Sequence, residues 1–295
     1  MKIVTYWHAG SRQVGCLSAD GNSVIPLTVG EPVHESGALA LIERMAAGLP
    51  PPADDAPPLP LAAVRLDAPL PRPRRNVFCV GKNYHAHARE FSQSGFDGSV
   101  SKPGDEIPSD PIIFSKVPES VIAPGAAIRI PVEVSEAIDY EAELTIVIGR
   151  GGRGISAAQA MDHVWGYTII NDVTARDWQQ RHKQWLIGKS FDTFCPMGPW
   201  LVSADEFNGG DTRVRCWVND ELRQDARTTD LIFDIPTLIA TLSAGITLYP
   251  GDLIATGTPV GVGIGYKPPK YLKSGDRVRI EIDGIGVLEN PVEAA

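Results

Sequence analysis

The sequence contains no run of basic residues, no C-x-x-C pair, no His-rich tract, no repeat of fixed period and no long apolar stretch. Each absence closes a class of function. With 27 Lys and Arg against 36 Asp and Glu, a formal net charge of -9 leaves no basic excess to neutralise a phosphate backbone, so nucleic acid is not an expected partner. The four cysteines, Cys16, Cys79, Cys195 and Cys216, are far apart and read as neither a zinc site nor a disulfide framework, which fits a reducing compartment. The opening MKIVTYWHAGSRQ lacks the apolar core of a signal peptide, and no stretch of about 18 uninterrupted apolar residues occurs. No membrane partner is therefore expected, and the expected location is cytoplasmic. Neither a phosphate-loop motif nor a dinucleotide fingerprint is found.

What the chain does have is length, turns and a few placed acids. A chain of 295 residues is long enough to bury roughly 75% of its unfolded surface. Its 29 glycines and 25 prolines favour turns and short strands over a helix bundle. Residues 1–70 read as a small accessory α/β unit, with strands in KIVTYW and VGCL, a hairpin turn at 19–22 and one amphipathic helix in ALALIERMAAGL. Nine prolines between Pro50 and Pro73 mark a linker or an extended edge segment before a larger domain, 71–295. That domain reads as β-dominated α+β. Strands are expected in NVFCVG, LTIVIG, VWGYTII, VRCWVN, LIATGT and VRIEI, with helices in TARDWQQRHKQW (174–185) and IPTLIATLSA (235–244). The turn-rich stretch 95–111 is too long for an ordinary connection and reads as a lid, a binding loop or a surface insertion.

Five constellations bear on chemistry. In D-Y-E-A-E-L-T-I-V-I-G, 139–149, Glu141 and Glu143 are two apart and share one face of a strand. A wet strand end and a ligand pair both fit. Asp172 in I-I-N-D-V-T-A-R-D-W-Q-Q lies between a strand and a helical pattern, where a helix N-cap and a carboxylate aimed into a cleft are both consistent. Arg176 and Gln179 follow, one turn apart. If the three carboxylates converge within about 4 Å, each like-charge pair costs on the order of 4 kcal/mol at an effective dielectric near 20, so a cation is required. An all-oxygen set suits Mg²⁺, Mn²⁺ or Ca²⁺ rather than zinc.

In G-K-N-Y-H-A-H-A-R-E, 81–90, His87 and Glu90 are three apart and adjacent on a helical turn, either as a general-base pair or as a surface coincidence; His85 points elsewhere. Lys189 in G-K-S-F-D has a role beside an anion or an ordinary solvated one. Thr258, in the Gly-rich loop of 249–263, has backbone N–H groups nearby that suit a carboxylate.

In this order and at these separations, VGKNYHAHARE, DYEAELTIVIGR, GYTIINDVTARDWQ, GKSFDTFCPMGP and GDLIATGTPVGVG resemble the fumarylacetoacetate hydrolase superfamily, in its short bacterial, acylpyruvase-like branch. The resemblance covers about 75–295. It implies a mixed β-sandwich roll, a homodimer, and a divalent metal, Mg²⁺ or else Mn²⁺ or Ca²⁺, on Glu141, Glu143 and Asp172. It implies His87 and Glu90 as a catalytic dyad assisted by Lys189, with Arg176, Gln179 and Thr258 binding substrate. The implied activity is hydrolysis of the C–C bond of a 2,4-diketo acid such as an acylpyruvate, giving pyruvate and a carboxylic acid. Oxaloacetate decarboxylation and ureidoglycolate lyase-type chemistry are the alternatives. Lys82 and the long 95–111 connection depart from the shortest members and leave substrate choice open.

Overall fold

In the computed structural model, which describes residues 1–29, 33–52, 56–95 and 106–295, four of the apolar runs of the larger segment, NVFCVG, LTIVIG, VWGYTII and LIATGT, supply strands of one twelve-stranded mixed sheet. Its centre is Ala142–Ile148, seven residues buried along their whole length, as a strand covered on both faces must be. That strand pairs antiparallel with Val164–Asn171 on one side and Leu253–Ala255 on the other. Leu253–Ala255 then runs parallel to Val77–Gly81, which pairs with Ile112–Lys116. A second sheet of five strands, running through Glu221–Arg227, Arg213–Val218 and Arg277–Ile282 to Gly286–Ala294 and Ile128–Ile130, covers one face of the first. Leu144, Ile146 and Ile148 meet Val214, Ile280 and Leu288 in the shared core, each side chain contributing about 1.5–3 kcal/mol relative to exposure. The strand-dominated α+β sandwich expected from the sequence is the observed architecture.

Helices flank the sheets. Ile235–Ser243 begins where Asp234 accepts a hydrogen bond from the Thr237 N–H at 2.9 Å, with a proline in its first turn. The helix expected over 174–185 is shorter. Thr174–Ala175 instead pairs with Ile138–Asp139, so the helix covers Arg176–His182 and stops at Lys183, whose φ is 57°. That two-residue bridge also removes the capping role considered for Asp172, because the residue preceding the helix is Ala175.

The first strands, Lys2–His8, Ser11–Leu17 and Ser23–Leu27, form the expected meander around the 19–22 turn. Lys2–His8 also joins the large sheet edge to edge, Lys2 opposite Val202 and Ile3 opposite Leu201. Within the proline-rich stretch, Leu59–Pro60 and Arg65–Leu66 add extended edge segments. The helix Leu39–Ala46 buries Leu41 and Ile42 among Val77, Val147, Trp165 and Leu201 of the larger segment. No helix among the described residues is long and apolar enough to cross a membrane. Residues 96–105 of the turn-rich 95–111 stretch, expected as a lid, a binding loop or a surface insertion, lie outside the described residues.

Because Leu41 and Ile42 share a core with the larger segment, we propose that the 1–70 unit unfolds together with it. Leu41→Ala is expected to cost about 2–5 kcal/mol and to shift a single urea transition of the whole chain; two transitions, with only one displaced, would establish an independent accessory domain.

Candidate active site and cation centre

The antiparallel register sets Ala142 opposite Asn171, so the residues just outside that pair, Glu141 and Asp172, arrive side by side. Two hydrogen bonds fasten the junction: the Asp172 N–H donates to the Glu141 carbonyl at 2.8 Å, and the Glu141 N–H donates to Asn171 Oδ1 at 3.0 Å. Glu143 follows Glu141 on the same face. The three carboxylates offer oxygens within 4.8 Å of one another, and all three side chains are buried. Neither a wet strand end nor a surface acid pair survives this placement.

Cations are woven through the cluster. Lys189, 1% exposed, donates from Nζ to Glu141 Oε2 at 2.6 Å and to Asp172 Oδ2 at 2.8 Å, so it is no solvated surface lysine. Lys116 Nζ donates to Asp172 Oδ1 at 2.8 Å. Arg176 Nη2 lies 2.7 Å from Glu141 Oε1 as a close ion pair outside hydrogen-bond angles, while its Nε donates to Asp139 Oδ2 at 2.8 Å. Of the four carboxylates, counting Asp139, three (Asp139, Glu141 and Asp172) are in direct contact with the three cations. The surplus falls on Glu143, whose Oε2 accepts the Gly257 N–H at 2.9 Å. Gly257 has φ +102°, and a Cβ there would stand 2.8 Å from Asn83 Cβ, so only glycine delivers this amide.

Electrostatics follows the contacts. Burial and then the charges of Asp172 and Glu141 push the Glu143 carboxyl well above the ordinary range. For Glu141 burial acts the same way but Lys189, Arg176 and His87 outweigh it, and the group is held low. Burial disfavours the Lys189 ammonium, yet Asp172 and Glu141 more than offset that and keep it charged. A dense, buried, all-oxygen set with one negative charge in excess fits a hard divalent cation.

The segment His85–Gln93 is a helix, and on it His87 Nδ1 lies 3.0 Å from Glu90 Oε2 with the imidazole buried and His85 exposed. Glu90 Oε1 accepts the Gly261 N–H at 3.0 Å, and Gly265 packs so closely that a Cβ would stand 2.1 Å from that oxygen. The pair is therefore held from both sides. His87, Glu141, Glu143, Arg176, Gln179, Lys189 and Thr258 all line one cavity of about 10 Å³, together with Lys82 and the rings of Phe91, Phe114 and Trp185. This leaves room for about one water-sized occupant. Thr258 spends its hydroxyl on the protein, donating to the Ala142 carbonyl at 3.1 Å and accepting from Gln224 Nε2 at 2.8 Å. Gln179 Oε1 accepts from Arg176 Nη1 at 3.1 Å, which leaves its amide N–H groups for another partner.

Sequence reading passed over Asp139, Lys116, Gln224 and Asn83. Asp139 accepts from Arg176, Tyr140 N, Gly263 N and Ile264 N, and so couples the glycine-rich loop to the arginine. Asn83 braces the loop before the dyad, donating to the Phe233 and Thr256 carbonyls and accepting the Phe233 N–H. Asp139 and Asn83 stood within the D-Y-E-A-E and G-K-N-Y-H motifs; Lys116 and Gln224 carried no local signal.

Among families of known proteins, the model described as "Fumarylacetoacetate (FAA) hydrolase C-terminal" matches residues 76–293. The oxaloacetate tautomerase YisK of Bacillus subtilis is 49% identical over 233 residues, 79% of this chain and 74% of its own. The mitochondrial oxaloacetate tautomerase FAHD2B of Bos taurus is 41% identical over 301 residues, 99% of this chain and 91% of its own. Among solved structures, the fumarylacetoacetate hydrolase EaFAH of Exiguobacterium antarcticum aligns with a TM-score of 0.84 at 40% identity over the whole of both chains. The maleylpyruvate hydrolase of Sphingobium sp. SYK-6, solved with manganese(II) and pyruvate, aligns with a TM-score of 0.77 at 30% identity, again over both whole chains.

A raised Glu143 means that its proton stabilises the fold, fully below the ordinary carboxylate pKa and progressively less as pH rises through the raised value. Glu143→Gln fixes the neutral form. In EDTA the variant is expected to melt above the wild type at pH 8 and to converge with it toward pH 4. With Mn²⁺ the order reverses, since an ion at 100 times its Kd adds about 2.7 kcal/mol to the wild type alone. Melting curves that superimpose at every pH would refute the assignment.

Proposed function

The chain belongs to the fumarylacetoacetate hydrolase family, and we propose that within it this protein is a divalent-cation-dependent enzyme that interconverts the enol and keto forms of oxaloacetate or a close 2-oxo dicarboxylate. The observation that carries the reading is the His87–Glu90 pair, whose buried imidazole lines one small cavity together with Glu141 and Glu143 of the acidic cluster. The likeness to oxaloacetate tautomerases over nearly the whole chain supports this choice of substrate.

The chemistry is a proton shift with nothing added or lost. A bound divalent cation, held by Glu141, Glu143 and Asp172, supplies Lewis-acid polarisation of the 2-oxo acid. Ionised Glu90 is an acceptor only, so its contact assigns the proton to His87 Nδ1 and leaves Nε2 with a lone pair. In the keto-to-enol direction His87 Nε2 takes a proton from C3, the C–H electrons form the C2–C3 double bond, and the C2 oxygen takes up a proton. The reverse direction returns the proton to C3. Negative charge gathers on the C2 oxygen between these steps, and Lys189, with one of its three N–H groups beyond those given to Glu141 and Asp172, is placed to stabilise it. Arg176 and Gln179 complete the anion-binding wall, Arg176 chiefly by holding the wall in place, since much of its fork already serves Asp139, Glu141 and Gln179.

C–C hydrolysis of a 2,4-diketo acid, the principal expectation from the sequence, would use the same dyad to activate a water. The solved maleylpyruvate hydrolase favours it as the second reading, at lower identity than the oxaloacetate tautomerases. Oxaloacetate decarboxylation shares the substrate. We also infer a homodimer in a cytoplasmic setting, as in the sequence-based expectation.

The readings separate by assay with Mn²⁺. Loss of the ultraviolet absorbance of enol oxaloacetate is expected to accelerate with the wild type, and His87→Ala is expected to lower kcat by about 10²–10⁴-fold with a smaller change in KM. Rapid pyruvate release from an acylpyruvate, with enol loss at the background rate, would replace this reading by hydrolysis.

A further inference from the structure

Lys116 is wholly buried at the end of the strand Ile112–Lys116, outside the lining of the cavity. An ammonium has three N–H donors, and all three are committed: to Asp172 Oδ1 at 2.8 Å, to the Val173 carbonyl at 3.1 Å, and to the Lys189 carbonyl. The lysine thus holds one oxygen of Asp172 away from the cluster, and ties the strand end bearing Asp172 to the segment bearing Lys189.

The other two carboxylates are treated alike. Glu143 has Oε2 bound by the Gly257 N–H, and Glu141 has Oε1 paired with Arg176. Each acid has one oxygen engaged by the protein, through a lysine, an arginine ion pair or a backbone amide. For Asp172 and Glu141 the remaining oxygen meets Lys189, a cation already seated among them. Carboxylates restricted to single-oxygen donation suit small six-coordinate ions such as Mg²⁺ and Mn²⁺. Ca²⁺ takes six to eight oxygens and commonly draws both from one carboxylate.

Resting on the reading of these acids as a cation site, we propose that Lys116 is a positioning residue that sets ion preference: by occupying Asp172 Oδ1 it makes Asp172 a one-oxygen donor and favours Mn²⁺ over Ca²⁺. It touches neither substrate nor ion. Partners in this outer position orient ligands, and their loss typically lowers metal affinity about 10–100-fold. Here the loss is selective, because an Asp172 released from Lys116 is free to offer both oxygens to the larger ion.

The test is calorimetric titration of the full-length, metal-stripped protein with MnCl₂ and with CaCl₂. The wild type is expected to bind Mn²⁺ the more tightly. Lys116→Met is expected to lose about 10–100-fold in Mn²⁺ affinity while Ca²⁺ affinity falls less or rises, so that the ratio of the two constants drops. Lys116→Arg, which keeps a charged donor, is expected to retain the wild-type order. Equal losses for both ions in Lys116→Met would show a merely structural lysine and overturn the proposal. So would an Arg variant that falls as far as the Met variant. If Lys116→Met does not fold, the wild type decides: equal affinities or a preference for Ca²⁺ overturn the proposal. A wild type that takes up neither ion brings down the cation-site reading itself, and the proposal with it.

Discussion

Three carboxylates buried side by side cannot all remain ionised without compensation, and much of the surrounding architecture is a response to that constraint. Glu141, Glu143 and Asp172 call for cations; Lys116, Lys189 and Arg176 supply them, and each brings N–H groups that need acceptors of their own. Those acceptors come from distant segments: Asp139 ahead of the glutamate strand, the Val173 and Lys189 carbonyls, and Gln179 on the following helix. Asp139 passes the demand on to the amides of Gly263 and Ile264, which shape the glycine-rich loop near Glu90. A charge cluster in one pair of strands thereby ties the large sheet to the short Ile138–Asp139 strand, the Arg176–His182 helix and the glycine-rich loop. Buried polar networks of this kind are either fully satisfied or strongly destabilising, which is why so few donors are left over.

The parts of the site legible in the sequence were those governed by local periodicity. Two residues along a strand return to the same face, so Glu141 and Glu143 belonged together before any coordinates. Three residues along a helix do the same for His87 and Glu90, and for Arg176 and Gln179. Convergence of these pairs had no local signature and depended on the order of motifs; the register of Ala142 with Asn171 brings it about. Lys116 was illegible for a different reason. A lysine closing an apolar run is ordinarily solvated, and nothing in IIFSK says that its neighbour is the carboxylate of Asp172. Gln224, bound to Ala142 N and Thr258 Oγ1, comes from the opposite sheet, and strand alternation is silent about which sheet covers which. The same limit applies to the first seventy residues, whose strands were recognisable although their continuation into the large sheet was not.

On the proposed reading, chemistry is chosen by what is admitted beside His87. The dyad serves equally to move a proton on a bound carbon acid or to activate a water. Phe91, Phe114 and Trp185 form an apolar wall next to the charged groups, with Lys189 Nζ 4.9 Å from the centre of the Phe114 ring. Such a wall strengthens every charge interaction inside the cavity by lowering the local dielectric. It also disfavours a loosely held water, in keeping with a reaction that needs none. Chain segments beyond the cluster therefore bear on reaction type as directly as the acids bear on cation binding.

The pairing of Lys2 with Val202 and of Ile3 with Leu201 has a consequence for how the chain folds. The Lys2–His8 strand finds this partner in the large sheet only once the distant Cys195–Ser203 strand is in place. Until then the Lys2–His8 strand has Ser11–Leu17 on one side and, on the other, only Arg65–Leu66 opposite Tyr6 and Trp7; the Lys2–Ile3 end of that edge stays open, and an open edge invites pairing with another chain. Contacts between segments so far apart in sequence also slow folding, because loop-closure entropy must be overcome before the pairing can form. The edge at Lys2 and Ile3 is thus an aggregation hazard for as long as Cys195–Ser203 has not paired with it.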